Sequence, residues 1–191
     1  MDISKEKLAE LAIQAADDPE AFGELYDYFF PKIYHYIYNR VNDQQLAEDL
    51  VSDIFMKILK NLDTLKHISE VQGWFFSIAR NTLIDYYRKK GRNKEDVKDH
   101  LTFVTSSTEP TVPENNPESA YISKEHSQEI FKLLQSLSPD QQEVLTLRFC
   151  HDLKIKEIAD VIEKSEGAVK GLLYRGIKKL AQTLDERGEN A

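Results

Sequence analysis

Residues 154–180 read KIKEIADVIEKSEGAVKGLLYRGIKKL. Ile155, Ile158, Ala159 and Ile162 recur at helical spacing, and Ser165 then caps a second amphipathic run. Two helices joined by the turn Glu163-Lys164-Ser165 have the layout of a helix-turn-helix. The second helix separates into two faces. Val169, Leu172, Leu173, Ile177 and Leu180 form a core stripe, while Gly167, Lys170, Gly171, Tyr174 and Lys178 fall opposite. Small residues let a backbone approach a groove, and polar ones near the N-terminal end reach base edges. Lys164, Arg175, Lys178 and Lys179 suit phosphates. The plainer alternative is a solvated basic face on an ordinary bundle helix.

Upstream, Ser138-Pro139-Asp140-Gln141 is a capping box with proline at the first helical position. It opens a helix carrying Val144, Leu145 and Phe149. Between Gly91 and about Asn116 helical periodicity is lost, and SSTEPTVPENNPES reads as a flexible acidic linker. Four helices precede it. The first has Leu8, Leu11, Ala12 and Ala15; Asp18-Pro19 opens the second, which carries Phe22, Leu25, Phe29, Ile33 and Ile37. Pro31 is expected to kink or break that second helix. Asn42 or Asp43 caps a third helix running to about Asn61, and a fourth spans about Gly73 to Lys90. Few glycines and few alternating runs complete an all-α reading of two small helical domains. We assign 1–92 and 126–191 to the domains and 93–125 to the linker.

Composition narrows the function. The formal charge is −8, which by itself argues against nucleic acid. Its distribution argues the other way: from Arg80 to Lys94 six cations face one acid, and from Lys164 to Lys179 five face one. Two basic patches on an acidic chain suggest DNA contacts too weak to act alone, assisted by a partner. No apolar run is long enough to span a membrane, the N-terminus lacks the pattern of a signal peptide, and one cysteine suits a reducing cytoplasm.

Three further groups of residues bear on chemistry. On the fourth helix, Phe75, Ile78, Ala79, Leu83 and Tyr86 form a core stripe, with Trp74, Ser77, Asn81, Asp85 and Arg88 on the other side. An aromatic beside Asn and several cations suits gripping unstacked bases, unless Trp74 simply packs in the core. On the third helix, Glu48, Asp49 and Asp53 make an acidic patch. It reads as a divalent-metal site, a docking face for a basic partner, or a solvated surface. No second carboxylate motif completes a metal site, so no cofactor or metal is assigned. Cys150 and His151 are neighbours that do not face each other on a helix, and Cys150 is read as a small buried hydrophobe. No phosphate loop or serine elbow is present, and no catalytic residue is assigned.

Taken together, the chain resembles the extracytoplasmic-function sigma factors, the minimal members of the sigma-70 family. AEDLVSDIFMKIL (47–59) resembles the family's polymerase-clamp helix. WFFSIARNTLIDYYRKK (74–90) resembles its promoter-melting and −10-reading helix, and 137–180 its −35-reading domain. The resemblance implies that Glu48, Asp49, Leu50 and Phe55, with Asp53 in the same acidic face, dock on the coiled coil of the largest polymerase subunit. It implies that Asn81 helps capture a flipped-out −10 base, with Trp74, Arg80, Arg88 and Lys89 supporting the opened strand. Glu166, Lys170, Gly171, Tyr174 and Arg175, flanked by Lys164 and Lys178, would lie at the −35 major groove. Implied partners are core RNA polymerase (coiled coil and flap), promoter DNA and an anti-sigma factor. The chain departs from the family at Ser52-Asp53, Gln142 and Gly176.

The 33-residue linker fits this reading. As a coil it spans roughly 30 Å and fully stretched roughly 110 Å, enough to bridge DNA sites one to three turns apart. Two other readings compete: a self-sufficient DNA-binding regulator, disfavoured by the acidic charge and the lack of a heptad seam, and a metal-dependent helical enzyme using Asp49 and Asp53.

Overall fold

The computed structural model describes residues 3–65, 70–91, 101–102 and 133–188, and no strand occurs among them. Among the described residues seven α-helices are defined: α1 (Lys5–Gln14), α2 (Pro19–Val41), α3 (Gln44–Lys60), α4 (Val71–Lys89), α5 (Pro139–Leu145), α6 (Ile155–Ile162) and α7 (Glu166–Gly188). Of the linker 93–125, only Leu101 and Thr102 are described, and Leu101 is buried; the remainder lies outside the described residues.

The helices begin where short polar side chains can satisfy free backbone N–H groups. Ser4 accepts from Lys7 N at 3.2 Å, Asp18 from Glu20 N at 2.9 Å, and Asp43 from Leu46 N at 3.0 Å. Asn42 turns into the left-handed region at φ 51° and separates α2 from α3. Pro31 does not break α2, which runs for 23 residues. Proline removes one intrahelical hydrogen bond. Phe29 and Ile33, both fully buried on either side of it, hold the two halves of the helix against the core.

That core is aromatic. The Phe29 and Phe75 rings stack with centroids 3.9 Å apart, and Phe55 meets both Tyr26 and Phe75. Leu25, Ile37, Ile54, Ile58, Ala79 and Leu83 complete it. The anticipated stripes on α2, α3 and α4 are thus largely those the structure buries. Ile78 and Tyr86 are only half-buried, whereas Phe76 and Tyr87, absent from the expected stripe, are buried.

In the C-terminal unit the anticipated capping box forms: Ser138 Oγ accepts from Gln141 N, and Gln141 Oε1 accepts from Ser138 N. After α5 the chain makes one π turn, Thr146–Cys150. The wider turn places Leu147 in the core and sends Phe149 outward, two-thirds exposed, against the expectation that Phe149 packs inside. Cys150 also comes out exposed rather than buried. On α7, Val169 and Leu173 are buried, Leu172 and Leu180 are half-buried, and Ile177 is exposed. Gly176 is buried instead: a Cβ there would lie 2.9 Å from Leu145 Cδ1. The missing side chain lets α7 approach α5 closely.

The two helical units pack on one another. Helix α6 lies across α4, close enough that a Cβ on Gly73 would sit 2.9 Å from Glu157 Cβ. Gln72 Nε2 donates to the His151 carbonyl at 2.7 Å, and Lys156 pairs with Glu70.

Candidate nucleic-acid interface

Helix α7 presents its polar face to solvent. Ser165 Oγ accepts from Ala168 N at 3.2 Å, which fixes the helix start just after the turn. Glu166, Lys170, Tyr174, Arg175 and Lys178 are all exposed, and Tyr174 is 70% so. A Tyr this exposed at mid-helix contributes little to the core and is free to meet a partner. Arg175 folds back so that its guanidinium would lie 3.2 Å from a Cβ on Gly171. The absent side chain therefore gives Arg175 its path along the helix. Lys164 pairs with Asp140 at 3.2 Å and Lys170 lies 3.9 Å from Glu166, both at the surface. Such pairs are weak and exchange readily for phosphate.

The α4 residues divide. Asn81, Arg88 and Lys89 are exposed, with Arg88 3.9 Å from Asp85. Trp74 is half-buried, its ring edge-on to Phe75 at 5.6 Å, so it both packs and shows a face. Arg80 does not join that surface. Its side chain is largely buried, turned toward Glu143 on α5 at 3.9 Å.

The acidic patch on α3 likewise divides. Glu48, Asp49 and Asp53 are exposed, whereas Leu50 and Phe55 are buried and hold the helix in place. Two residues that sequence reasoning did not single out, Met56 and Leu59, are exposed below the carboxylates. Asp49, Asp53, Met56 and Leu59 rise one turn after another, so α3 offers an acidic stripe continued by apolar side chains. That succession gives α3 an exposed face of mixed charged and apolar character. Helical spacing alone could have found it, because Met56 and Leu59 lie off the Leu50–Ile54–Ile58 core stripe.

A second exposed apolar feature lies in the C-terminal unit. Leu134, Leu145, Phe149, Ile177, Leu180 and Leu184 line a groove of about 360 Å³ between α5, the π turn and α7. Cys150 borders it. Its surroundings desolvate the thiolate and hold the pKa above the ordinary thiol value, so it is no activated nucleophile. Among the described residues no group of three His, Cys, Asp or Glu converges as a metal set, and no helix is long and apolar enough to cross a membrane.

A helix-turn-helix with an exposed polar face, a second helix rich in cations and an exposed acidic and apolar stripe are together the features of a DNA-binding transcription factor that works with a partner. Similarity to known proteins agrees. Residues 25–93 match Sigma-70 region 2, and residues 127–180 match Sigma-70, region 4. The chain is 33% identical over 187 residues to the ECF RNA polymerase sigma factor BldN of Streptomyces coelicolor, covering 97% of this chain and 69% of that one. It is 28% identical to the ECF RNA polymerase sigma factor SigX of Bacillus subtilis, covering 87% and 84%. Among solved structures, the sigma factor RpoE of Bartonella quintana, in complex with the anti-sigma factor NepR, superposes with a TM-score of 0.62 at 24% identity, over 86% of this chain and 96% of that one. The chain belongs to the sigma-70 family, in its extracytoplasmic-function group. It acts with RNA polymerase in promoter-specific transcription initiation, through recognition of −10 and −35 elements.

Proposed function

We propose a division of this activity among four surfaces. The α3 stripe of Glu48, Asp49, Asp53, Met56 and Leu59 docks on the basic coiled coil of the largest polymerase subunit, with Leu50 and Phe55 supporting it from beneath. Asn81, Trp74, Arg88 and Lys89 on α4 grip the opened −10 strand, joined by Arg80 once it leaves Glu143. Glu166, Lys170, Gly171, Tyr174 and Arg175 on α7 read the −35 groove, and Lys164 and Lys178 hold its phosphates. The apolar groove around Phe149 receives the polymerase flap.

On this reading 1–92 is the polymerase-docking and −10 domain, 93–125 the linker, and 126–191 the −35 domain. The chain has no catalytic role of its own and acts in the cytoplasm, where polymerase and promoters meet. An anti-sigma factor of the kind bound to the Bartonella protein is a further partner, suited to cover the α3 stripe and the apolar groove.

The observation that carries the reading is the α3 stripe, because an acidic and apolar surface has no use on DNA and every use on a basic protein. Fluorescence anisotropy with sigma-free core RNA polymerase tests it. Tight binding that Asp49→Arg weakens at least tenfold is the expected result; equal binding by both proteins would remove docking from α3.

A further inference from the structure

A cavity of about 480 Å³ lies where α1, α2 and the start of α4 meet the end of the π turn and the two residues after it. That volume is in the range of small-molecule sites. Apart from Cys150, which also borders the apolar groove, none of its wall residues belongs to a surface assigned to polymerase or DNA.

The charge of the cavity sets it apart from the rest of the chain. The protein carries −8 overall, yet the walls draw Lys5 from α1 and Lys32 from α2 against a single carboxylate, Asp152. Lys32 is half-buried, and no carboxylate pairs with it among the described residues. Its ammonium rests instead on the Tyr28 ring, 3.7 Å from the centroid. Lys5 reaches Asp152 at 3.7 Å, but both side chains are at the surface, where such a pair contributes little and exchanges readily.

His151 forms another part of the wall. It is only 8% exposed, and its Nδ1 has no hydrogen-bond partner among the described residues. Buried polar atoms are nearly always paired, so this one has bonding capacity to spare. The ring also reports the local field. Burial lowers its pKa from 6.5 to about 3, and Arg40, Lys32 and His35 all push it the same way. Neighbours that disfavour a positive ring favour a negative group in its place.

The wall is also held in shape. Asp152 sits in the left-handed region at φ 53°, which few residue types other than glycine, Asn and Asp adopt readily. Gln72 Nε2 donates to the His151 carbonyl at 2.7 Å and ties that turn to α4. These features choose a ligand. A planar carboxylate is best met by the fork of an arginine, whereas lysines act as point charges and suit phosphate. Lys5 must also leave Asp152, and a group with two negative charges draws it away better than a group with one.

We infer that this cavity binds the phosphate group of a small molecule, held by Lys32 and Lys5, with Asp152 competing for Lys5. The inference goes beyond the sigma activity and does not depend on which surfaces meet polymerase or DNA.

Isothermal titration of the full chain in phosphate-free, low-salt buffer tests it. The probes are inorganic phosphate, phenyl phosphate, glucose 6-phosphate and adenosine 5′-monophosphate. At least one should bind saturably, one per chain. Lys32→Met, which keeps an unbranched side chain against Tyr28, should weaken that binding about tenfold. Asp152→Asn should strengthen it about threefold, because Asn keeps the left-handed turn while freeing Lys5. A gain of affinity cannot come from a damaged fold. Alkylation of Cys150, the single cysteine, gives a second reading from the cavity wall. The bound probe should slow it in wild type and not in Lys32→Met. Inorganic phosphate binding as tightly as the esters would identify free phosphate as the ligand; a preferred ester would identify a phosphorylated metabolite. No saturable binding by any probe, or equal affinity in wild type, Lys32→Met and Asp152→Asn, would overturn the site. Binding that Lys178→Ala removes would overturn it too, because the phosphate would then sit on α7.

Discussion

Gly73 on α4 lies directly under Glu157 on α6, so close that a Cβ would stand 2.9 Å from Glu157 Cβ and 3.4 Å from its Cα. Glu157 cannot easily move aside, because its Oε2 accepts from Lys154 N at 2.7 Å and so closes the first turn of α6. The consequence is a substitution with opposite effects on two properties. Gly73→Ala favours the helix by about 1 kcal/mol, since alanine loses less backbone entropy there. It also pushes α6 from α4. The N-terminal unit should melt no lower than wild type while energy transfer between dyes attached at Gln14→Cys on α1 and Gln182→Cys on α7, in a Cys150→Ser background, falls. A loss of both stability and closure would show that Gly73 serves the core of α4 instead.

How the elements form is legible in the sequence; what meets what is not. Asp18, Asp43, Ser138 and Ser165 announce helix starts, and each accepts the expected backbone N–H. Periodicity marks Leu25, Phe29, Ile33 and Ile37 as an inner face. It cannot mark Tyr36 or Arg40, whose partner Glu143 is over a hundred positions away on another unit. For the same reason Arg80 reads as a free cation. Phe149 escapes the helical pattern because a single π turn changes the angle per residue, and nothing in TLRFC signals one. On α3 the carboxylates are visible as charge, whereas Met56 and Leu59 emerge only when the outer face is followed past Asp53.

The domain contact should weaken in acid. His151 is buried at the seam, its ring 4.5 Å from Phe76 and 6.0 Å from Tyr36. Burial lowers its pKa from 6.5 to about 3, helped by Arg40, Lys32 and His35, all on α2. From α4 the uncharged Gln72 and Phe76 meet it, and Lys5 of α1 and Asp152 lie along the same cavity. The closed form holds this His neutral, so its stability is complete above pH 6.5 and is lost as pH falls toward 3. If opening returns the ring to water, the closed-to-open ratio should fall about tenfold between pH 7.5 and 5.5. His151→Phe should flatten the profile of energy transfer against pH; an unchanged profile would assign the effect elsewhere.

Docking and folding should separate on α3. Asp49 is exposed and Phe55 is buried beside Tyr26 and Phe75. Asp49→Arg and Met56→Asp should each weaken binding to core polymerase tenfold or more, with melting temperature unchanged. Phe55→Ala should destabilise the N-terminal unit by about 3–5 kcal/mol through the cavity it leaves. Binding by Asp49→Arg that matches wild type would move the docking face off this helix, whatever Phe55→Ala does to stability.

On α7 the reading of bases and the holding of phosphates should be separable by salt. Lys170 and Tyr174 lie on the exposed N-terminal half of the helix, and Lys178 one turn beyond Tyr174. A phosphate contact releases counterions wherever the protein sits, so its loss weakens all sequences alike. Lys178→Ala in the polymerase complex should therefore lower affinity for matched and mismatched −35 elements equally, and reduce the slope of log affinity against log salt by about one. A base contact works differently, because its worth depends on the partner edge. Lys170→Ala should leave affinity for a mismatched −35 element nearly unchanged and cost about 1–3 kcal/mol on the matched one. Tyr174→Ala should follow Lys170→Ala, with no change in melting temperature, since a side chain 70% exposed has little core contact to lose. If Lys170→Ala instead weakens both elements equally, the N-terminal half of α7 holds backbone, and the bases are read from elsewhere.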